Sequence, residues 1–257
     1  MIVYLADFAT IAKTYRGSSE DIWLLSSYYK HSKDKQLPAY LYQSRHILDS
    51  GAFSFFGNKR AVDWDSYVDQ YVEFIQETKQ RLFFEMDVDV VTGLKRVEQL
   101  RTRIELKTGK QTIPVWRPSR GVQYWHKMVR AYKYVAISAS GKYDSAWVKK
   151  PEADNVLQKM IAIAHDNDTK VHGLGFTTVN RIQRIKWDSV DSTRWIAGAQ
   201  YGNVMQFTKQ LDGTIVMKSH KPPPGYRGKD REQMNQHNFV EWVKFQRWME
   251  LKAWRKT

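Results

Sequence analysis

Apolar residues fall along this chain in short blocks that alternate between a strand-like and a helix-like period. Ile2–Ala6 (IVYLA) is a compact apolar run of strand length. Glu20–Lys30 (EDIWLLSSYYK) follows with helical character, and His46–Leu48 is a second short run. Asp63–Gln76 carries Trp64, Tyr67, Val68, Tyr71 and Ile75 at helical spacing, with Asp63 placed to cap the helix. Arg81–Met86 (RLFFEM) is a third run, and Leu94, Val97, Leu100 and Ile104 mark the next helix. Thr112–Trp116 is a fourth run, Val122–Tyr132 a helix and Tyr134–Ser138 a fifth run. Ala153–Ala164 is amphipathic, with Val156, Leu157, Met160, Ile161 and Ala164 on one face. Lys170–Leu174 is a sixth run and Thr178–Ile185 a short helix. Ser189–Val190 lies in a seventh run and Asn203–Phe207 in an eighth.

Strands alternating with helices imply right-handed βαβ units around a parallel sheet. About eight units predict an α/β protein with a single (β/α)8 TIM-like barrel over residues 1–215. The competing doubly wound sheet usually carries a Gly-rich phosphate loop after its first strand, and this chain has none. The tail departs from the pattern. Lys218–Arg231 (KSHKPPPGYRGKDR) is a basic Pro/Gly loop, and Gln236–Lys256 predicts a helix bearing Phe239, Trp242, Val243, Trp248, Met249 and Trp254. Residues 216–257 therefore read as a basic extension packed on the barrel. Its loop is the better candidate for phosphate contact, because helix aromatics more often belong to a core.

Composition adds a partner. Lys plus Arg number 41 against 27 Asp plus Glu, a formal charge of +14, and 10 Trp, 14 Tyr and 11 Phe are interleaved with them. Such a surface attracts polyanions by its long-range field, which points to nucleic acid. Lys218, Lys221, Arg227 and Lys229 in the tail, with Arg194, are the candidate phosphate contacts. There is no cysteine, so disulfides and thiolate zinc sites are excluded, as fits a reducing cytoplasm. The N-terminus lacks the charged start and long apolar run of a signal peptide. No stretch approaches the roughly 18 apolar residues that span a bilayer, so no membrane association is expected. His46, His165, His172 and His220 are not spaced as a ligand cluster, and neither a metal nor another cofactor is expected. The GxSxG and phosphate-loop motifs are missing, which removes support for hydrolase and NTPase readings.

Three aspartates share one position. Asp49, Asp87 and Asp191 each follow an apolar run, and in a parallel barrel the C-terminal strand ends open onto one face. Asp89, two beyond Asp87, would point the same way if the strand continued, so the choice between them stays open. After Asp49 come Ser50, Gly51 and Ala52, small enough to let backbone approach a flat ligand, and Phe53 offers a stacking face.

These residues carry a resemblance to the tRNA-guanine transglycosylase superfamily, nearest to its short phage and bacterial branch that places 7-deazaguanines into DNA. Asp49-Ser50-Gly51-Ala52-Phe53 resembles the family's DSGGF/Y motif, and Phe84-Glu85-Met86-Asp87 the segment whose Asp recognises the purine edge. Pro114-Val115-Trp116-Arg117 sits where the family has a PVVQG-like strand, with Arg117 in place of Gln. Ser138-Ala139-Ser140 falls at the GGLA turn, and His172-Gly173-Leu174-Gly175 resembles MGVG. Asp188-Ser189-Val190-Asp191 keeps the DxxD spacing whose second Asp is the nucleophile. The likeness runs from about Ile47 to Phe207. Family members that act on tRNA hold a structural zinc with three Cys and a His, which this cysteine-free chain lacks.

The resemblance implies a pentosyltransferase that exchanges guanine for a 7-deazaguanine base. Asp191 would attack the sugar, Asp49 would move the proton and Asp87 would read the base. Phe53 would stack on the base, with Ser50, Gly51, Arg117, Ser138, Ala139 and Gly173 around it. Asp188 would matter through orientation alone. It also implies a phage or bacterial protein working in the host cytoplasm, with DNA favoured over tRNA because the zinc site is missing. A zinc-less tRNA enzyme, a glycosylase that lets water finish, and a non-catalytic nucleic-acid-binding barrel remain alternatives. Self-association into a homo-oligomer is left open.

Overall fold

A computed structural model describes residues 1–55, 62–138, 146–150, 152–176, 178–222 and 231–254. Seven strands form one parallel sheet: β1 (Ile2–Ala6), β2 (Leu24–Ser27), β3 (His46–Asp49), β4 (Val115–Trp116), β5 (Tyr134–Ser138), β6 (Lys170–Leu174) and β7 (Ser189–Ser192). Their order is β3-β2-β1-β7-β6-β5-β4. The strand period of two sorts side chains between two cores. Val3, Leu5, Val135, Ile137 and Val190 face the helices. Tyr4, Ala6, Leu25, Ile47, Phe84, Val115 and Ala136 share a second cluster on the inner face of the curled sheet. With both faces buried, β1 (IVYLA) and β5 (YVAIS) read as near-continuous apolar runs, while β3, β6 and β7 carry polar residues on the inner face.

Helices α2 (Trp64–Glu77), α3 (Asp89–Thr92), α4 (Leu94–Thr108) and α5 (Gly121–Ala131) lie between strands in chain order. So do α6 (Ala153–Asp166), α7 (Val179–Arg184) and α8 (Arg194–Gln200). Asp63 caps α2, its carboxylate accepting from the Asp65 and Ser66 amides.

Three expectations change. Glu20–Lys30 is no helix: it holds β2 followed by a single turn, α1 (Tyr28–His31). Leu24 faces the helix-side core and Leu25 the inner cluster, so a two-sided strand imitates a helical stripe. The run Arg81–Met86 forms no ladder. It makes single parallel bridges, Leu48 to Phe83 and Phe84 to Ile113, and so touches both β3 and the segment leading into β4. The Leu48 amide donates to Leu82 O at 3.0 Å, and the Ile113 amide to Phe83 O at 2.8 Å. The sheet paired by ladders is therefore seven-stranded and open. The run at Asn203–Phe207 leaves the parallel sheet altogether. It becomes β8 (Val204–Lys209), which pairs antiparallel with β9 (Ile215–His220). The Asp212-Gly213 turn that closes this hairpin, with Gly213 at φ 79°, is the signal that separates it. The hairpin crosses the boundary drawn at residue 215.

The C-terminal helix α9 (Arg231–Trp254) buries Phe239, Trp242, Phe245 and Met249. It compensates for a gap in the pattern, since the β1–β2 connection carries only a 3-10 turn at Phe8–Thr10. Gln246 reaches from α9 to that place, its Nε2 donating to Val3 O at 2.6 Å and Trp23 O at 2.9 Å. No helix among the described residues is long and apolar enough to cross a membrane.

Candidate active site

Asp49 closes β3 and Asp191 lies in β7, both on strand positions that alternate toward the inner face. Asp87 follows the bridged Leu82–Phe84 segment. Asp7, directly after β1, belongs with them. It sits in left-handed backbone (φ 64°) and binds Lys30 Nζ at 2.5 Å. Its position repeats the strand-end signature of Asp49, and that signature is visible in the sequence, where Asp7 follows Ile2–Ala6 directly.

The electrostatics tie these groups together. Burial pushes the Asp49 carboxyl up from 3.8 to about 7. The charges of Asp87, Asp191 and Asp7 push the same way, and only the Gly51 amide, donating to Oδ1 at 2.6 Å, opposes them. Asp191 has a different setting. Its Oδ1 accepts from the Gly175 amide at 2.6 Å and faces His172 Nε2 at 3.2 Å. One carboxyl is thus poised to hold a proton near neutrality, while the other accepts a backbone amide hydrogen bond and lies against an imidazole.

Asp87 is engaged by Arg117, whose side chain is 0 % exposed. One guanidinium nitrogen donates to the Asp87 carboxylate and, at 3.1 Å, to its carbonyl oxygen. Burial raises Asp87 from the ordinary carboxylate value against the pull of Arg117 and Arg120. Asp89 starts α3 and is held by Arg120, whose Nη2 and Nε donate to its two carboxylate oxygens at 2.9 and 3.1 Å. Burial opposes its ionisation, but Arg120 and Arg117 outweigh it and lower its pKa. Arg120 also donates to the fully buried Glu85 at 2.8 Å, and Arg101 binds that residue's other oxygen at 3.0 Å. Sequence reasoning missed this network. PVWRPSRG spaces Arg117 and Arg120 three apart, but nothing in it names their partners.

The turn after β3 is built by glycine. Gly51 has φ 77°, and a Cβ there would lie 2.3 Å from Tyr29 Cβ and 2.9 Å from Ser27 Oγ. Tyr67 donates to Ser50 O at 2.7 Å, and Tyr71 donates to Phe84 O at 3.0 Å, so α2 ties this turn to the bridged segment. Ser50 is fully buried, and its hydroxyl has no partner among the described residues. Gly51→Ala combines left-handed strain with a clash against Tyr29 and Ser27. It should cost more than ~2 kcal/mol and lower the melting temperature by several degrees. A melting temperature within one degree of the parent would refute this turn geometry.

The other expected residues divide. Ser138 ends β5, buried at the same edge. Gly173 instead faces the helix-side core, where a Cβ would meet Val190, Phe176 and Trp187 at 3.1–3.2 Å. Arg194 is exposed at the start of α8, two residues past β7. Lys218 and Lys221 are exposed, on β9 and just after it. Lys221 Nζ binds Tyr201 O at 3.1 Å, by the end of α8 opposite Arg194. Ala139, Arg227, Lys229 and the Phe53 side chain lie outside the described residues. Asp188 precedes β7 at the other end from Asp191. Its Oδ2 accepts from the Val171 amide at 2.7 Å and meets His165 Nε2 at 2.8 Å. Among the described residues no group of three or more His, Asp or Glu is arranged to hold a metal ion.

Comparison with protein-family models finds no match, and comparison with curated proteins finds none either.

Proposed function

We propose that this chain is a nucleic-acid base-exchange enzyme, a pentosyltransferase that replaces guanine with a 7-deazaguanine base in DNA. In this reading the sheet closes through the Leu82–Phe84 bridges into an eight-staved α/β barrel, with the carboxylates at its C-terminal mouth. The observation that carries the reading is the paired setting of Asp49 and Asp191. Asp49 is raised to about 7, partly by the charge of Asp191, while Asp191 itself is held by a backbone amide and lies against an imidazole.

That division suits a displacement at the sugar C1′. Asp191 attacks as the anion, and the C1′–N9 bond breaks with its electron pair going to the base. Asp49 delivers the proton that makes guanine a leaving group, then takes one from the incoming base. Splitting the exchange through a covalent glycosyl-enzyme follows the logic of retaining glycosidases. Asp87, braced by Arg117, offers acceptors to a purine edge, whereas both carboxylate oxygens of Asp89 are already bound by Arg120. The target base has to leave its stack, which requires a grip on flanking phosphates. The +14 charge supports such a grip, as does an open hollow of about 370 Å³ lined by Arg194, Asn180, Tyr201 and Ser219.

The direct test incubates the protein with guanine-labelled DNA or tRNA, with and without a 7-deazaguanine base, and analyses the nucleosides by mass. Exchange into DNA is expected. Base release without incorporation would make the protein a glycosylase, and incorporation into tRNA alone would reassign the substrate.

Binding should weaken steeply with salt. Replacing Lys218, Lys221, Arg227 and Lys229 together should lower affinity for all sequences. It should also flatten the log–log salt slope by about 0.9 for each duplex phosphate that the variant no longer neutralises. An unchanged slope would take the tail out of the interface.

A further inference from the structure

The inner face of the sheet holds a polar chain that leads to Asp191 and whose other members take no step in the exchange chemistry above. Tyr134 Oη lies 2.5 Å from Ser189 Oγ, Ser189 Oγ lies 2.5 Å from His172 Nδ1, and His172 Nε2 lies 3.2 Å from Asp191 Oδ1. Tyr134 opens β5 and Ser189 opens β7, while Asp191 is near the end of β7. The chain therefore runs inside the fold from the N-terminal edge of the sheet to its C-terminal edge. Ser189 and His172 are fully buried, and the rings of Phe84 and Tyr4 flank the imidazole at centroid distances of 5.2 and 5.9 Å.

Hydrogen-bonding capacity fixes the direction of the chain. An ionised Asp191 can only accept, so Nε2 carries the hydrogen. Nδ1 of a neutral imidazole is then an acceptor, and Ser189 must donate to it. The Ser189 oxygen in turn accepts from Tyr134, whose phenol burial holds well above its ordinary pKa. Every link is then a donor facing an acceptor. Serine, histidine and aspartate in contact are also the composition of a hydrolase triad. Here Ser189 is 0 % exposed and already bonded to Tyr134, so no substrate carbonyl reaches it.

We propose that His172, oriented through Ser189 and Tyr134, is a positioning residue for Asp191: it fixes Oδ1, directs Oδ2 at the sugar and stabilises the carboxylate as it departs. This rests on the base-exchange reading and adds a residue to it. In the first half-reaction the Oδ2–C1′ bond forms as C1′–N9 breaks, and the Asp49 proton goes to guanine. In the second, the incoming base loses its proton to Asp49 and bonds to C1′, and the C1′–Oδ2 electron pair returns to Asp191. Carboxylate charge is small in the ester and grows as the ester breaks. A donor on Oδ1 therefore assists breakdown more than formation.

The experiment follows formation of the denaturation-resistant complex between the full chain and a guanine-containing oligonucleotide, then its decay on adding a 7-deazaguanine base. In His172→Phe, decay should slow about tenfold or more, the scale of a hydrogen bond to a charged group, while formation falls less. His172→Gln, which keeps a donor and an acceptor, should recover most of the decay rate. Tyr134→Phe removes one hydroxyl from a half-buried side chain and should slow decay severalfold, which keeps the test decisive if His172→Phe does not fold. Unchanged decay in Tyr134→Phe, or equal slowing of both halves in folded His172→Phe, overturns the proposal. A wild-type protein that forms no complex overturns the base-exchange reading itself, a result distinct from either.

Discussion

Asp191→Asn should abolish the covalent complex and reduce turnover by on the order of 10⁴–10⁶-fold, the scale seen when an enzyme loses its nucleophile. Reversible binding of nucleic acid should remain. The amide keeps an oxygen able to accept from Gly175, so the loop after β6 stays in place, but it cannot attack C1′. The structure also supplies a sharp control. Asp188 is three residues away, hence on the opposite side of the strand and about 10 Å along it. It binds the Val171 amide and His165 rather than anything at the sheet's C-terminal edge. Asp188→Asn should therefore preserve the complex and lose only stability. A denaturing gel on both variants decides the matter. A complex that survives in Asp191→Asn and disappears in Asp188→Asn would show that the DxxD register has been read one acid too late.

How far the sequence carried this picture depends on the period of each segment. Strands buried on both faces were legible at β1 and β5, because Ile2–Ala6 and Tyr134–Ser138 are almost wholly apolar. The same property hid β2. Leu24 and Leu25 face opposite cores, and Trp23 and Tyr28 flank them, so a four-residue strand looks like one turn of amphipathic helix. Asn203–Phe207 reads as an eighth strand of the parallel sheet because apolar content alone does not separate a parallel stave from one arm of a hairpin; the Asp212-Gly213 turn does. Position at a strand end was enough to select Asp49, Asp87 and Asp191. It could not reveal which groups share a hydrogen bond. Arg120 on Asp89 and Glu85, and His172 between Ser189 and Asp191, arise from strands that meet only after folding. His172 was visible as a histidine outside any metal-ligand spacing, which excluded one role without suggesting the other.

Asp49 should impose the alkaline limit on guanine release. Only its protonated form can give the leaving base a proton, and burial with the charges of Asp87 and Asp191 sets that form's pKa at about 7. The first half-reaction, measured in a single turnover, should reach a plateau just below about pH 7, where Asp49 keeps its proton and Asp191 is still an anion. Above that it should fall about tenfold per pH unit. Asp49→Asn should lower the rate ~100-fold or more and erase this limb, since no titrating proton remains. Stability should move the other way. A carboxyl whose folded pKa exceeds its ordinary 3.8 binds its proton more tightly when folded. Its stabilising contribution is complete below pH 3.8 and is lost as pH rises through about 7. At pH 8 the wild type carries that ionisation cost, up to about 4 kcal/mol, and Asp49→Asn does not. The slower variant should therefore be the more stable protein at pH 8, with the difference shrinking toward pH 4. Urea unfolding at the two pH values reads it directly. Equal stability at both, or an alkaline limb that persists in Asp49→Asn, would mean that a group other than Asp49 carries the proton.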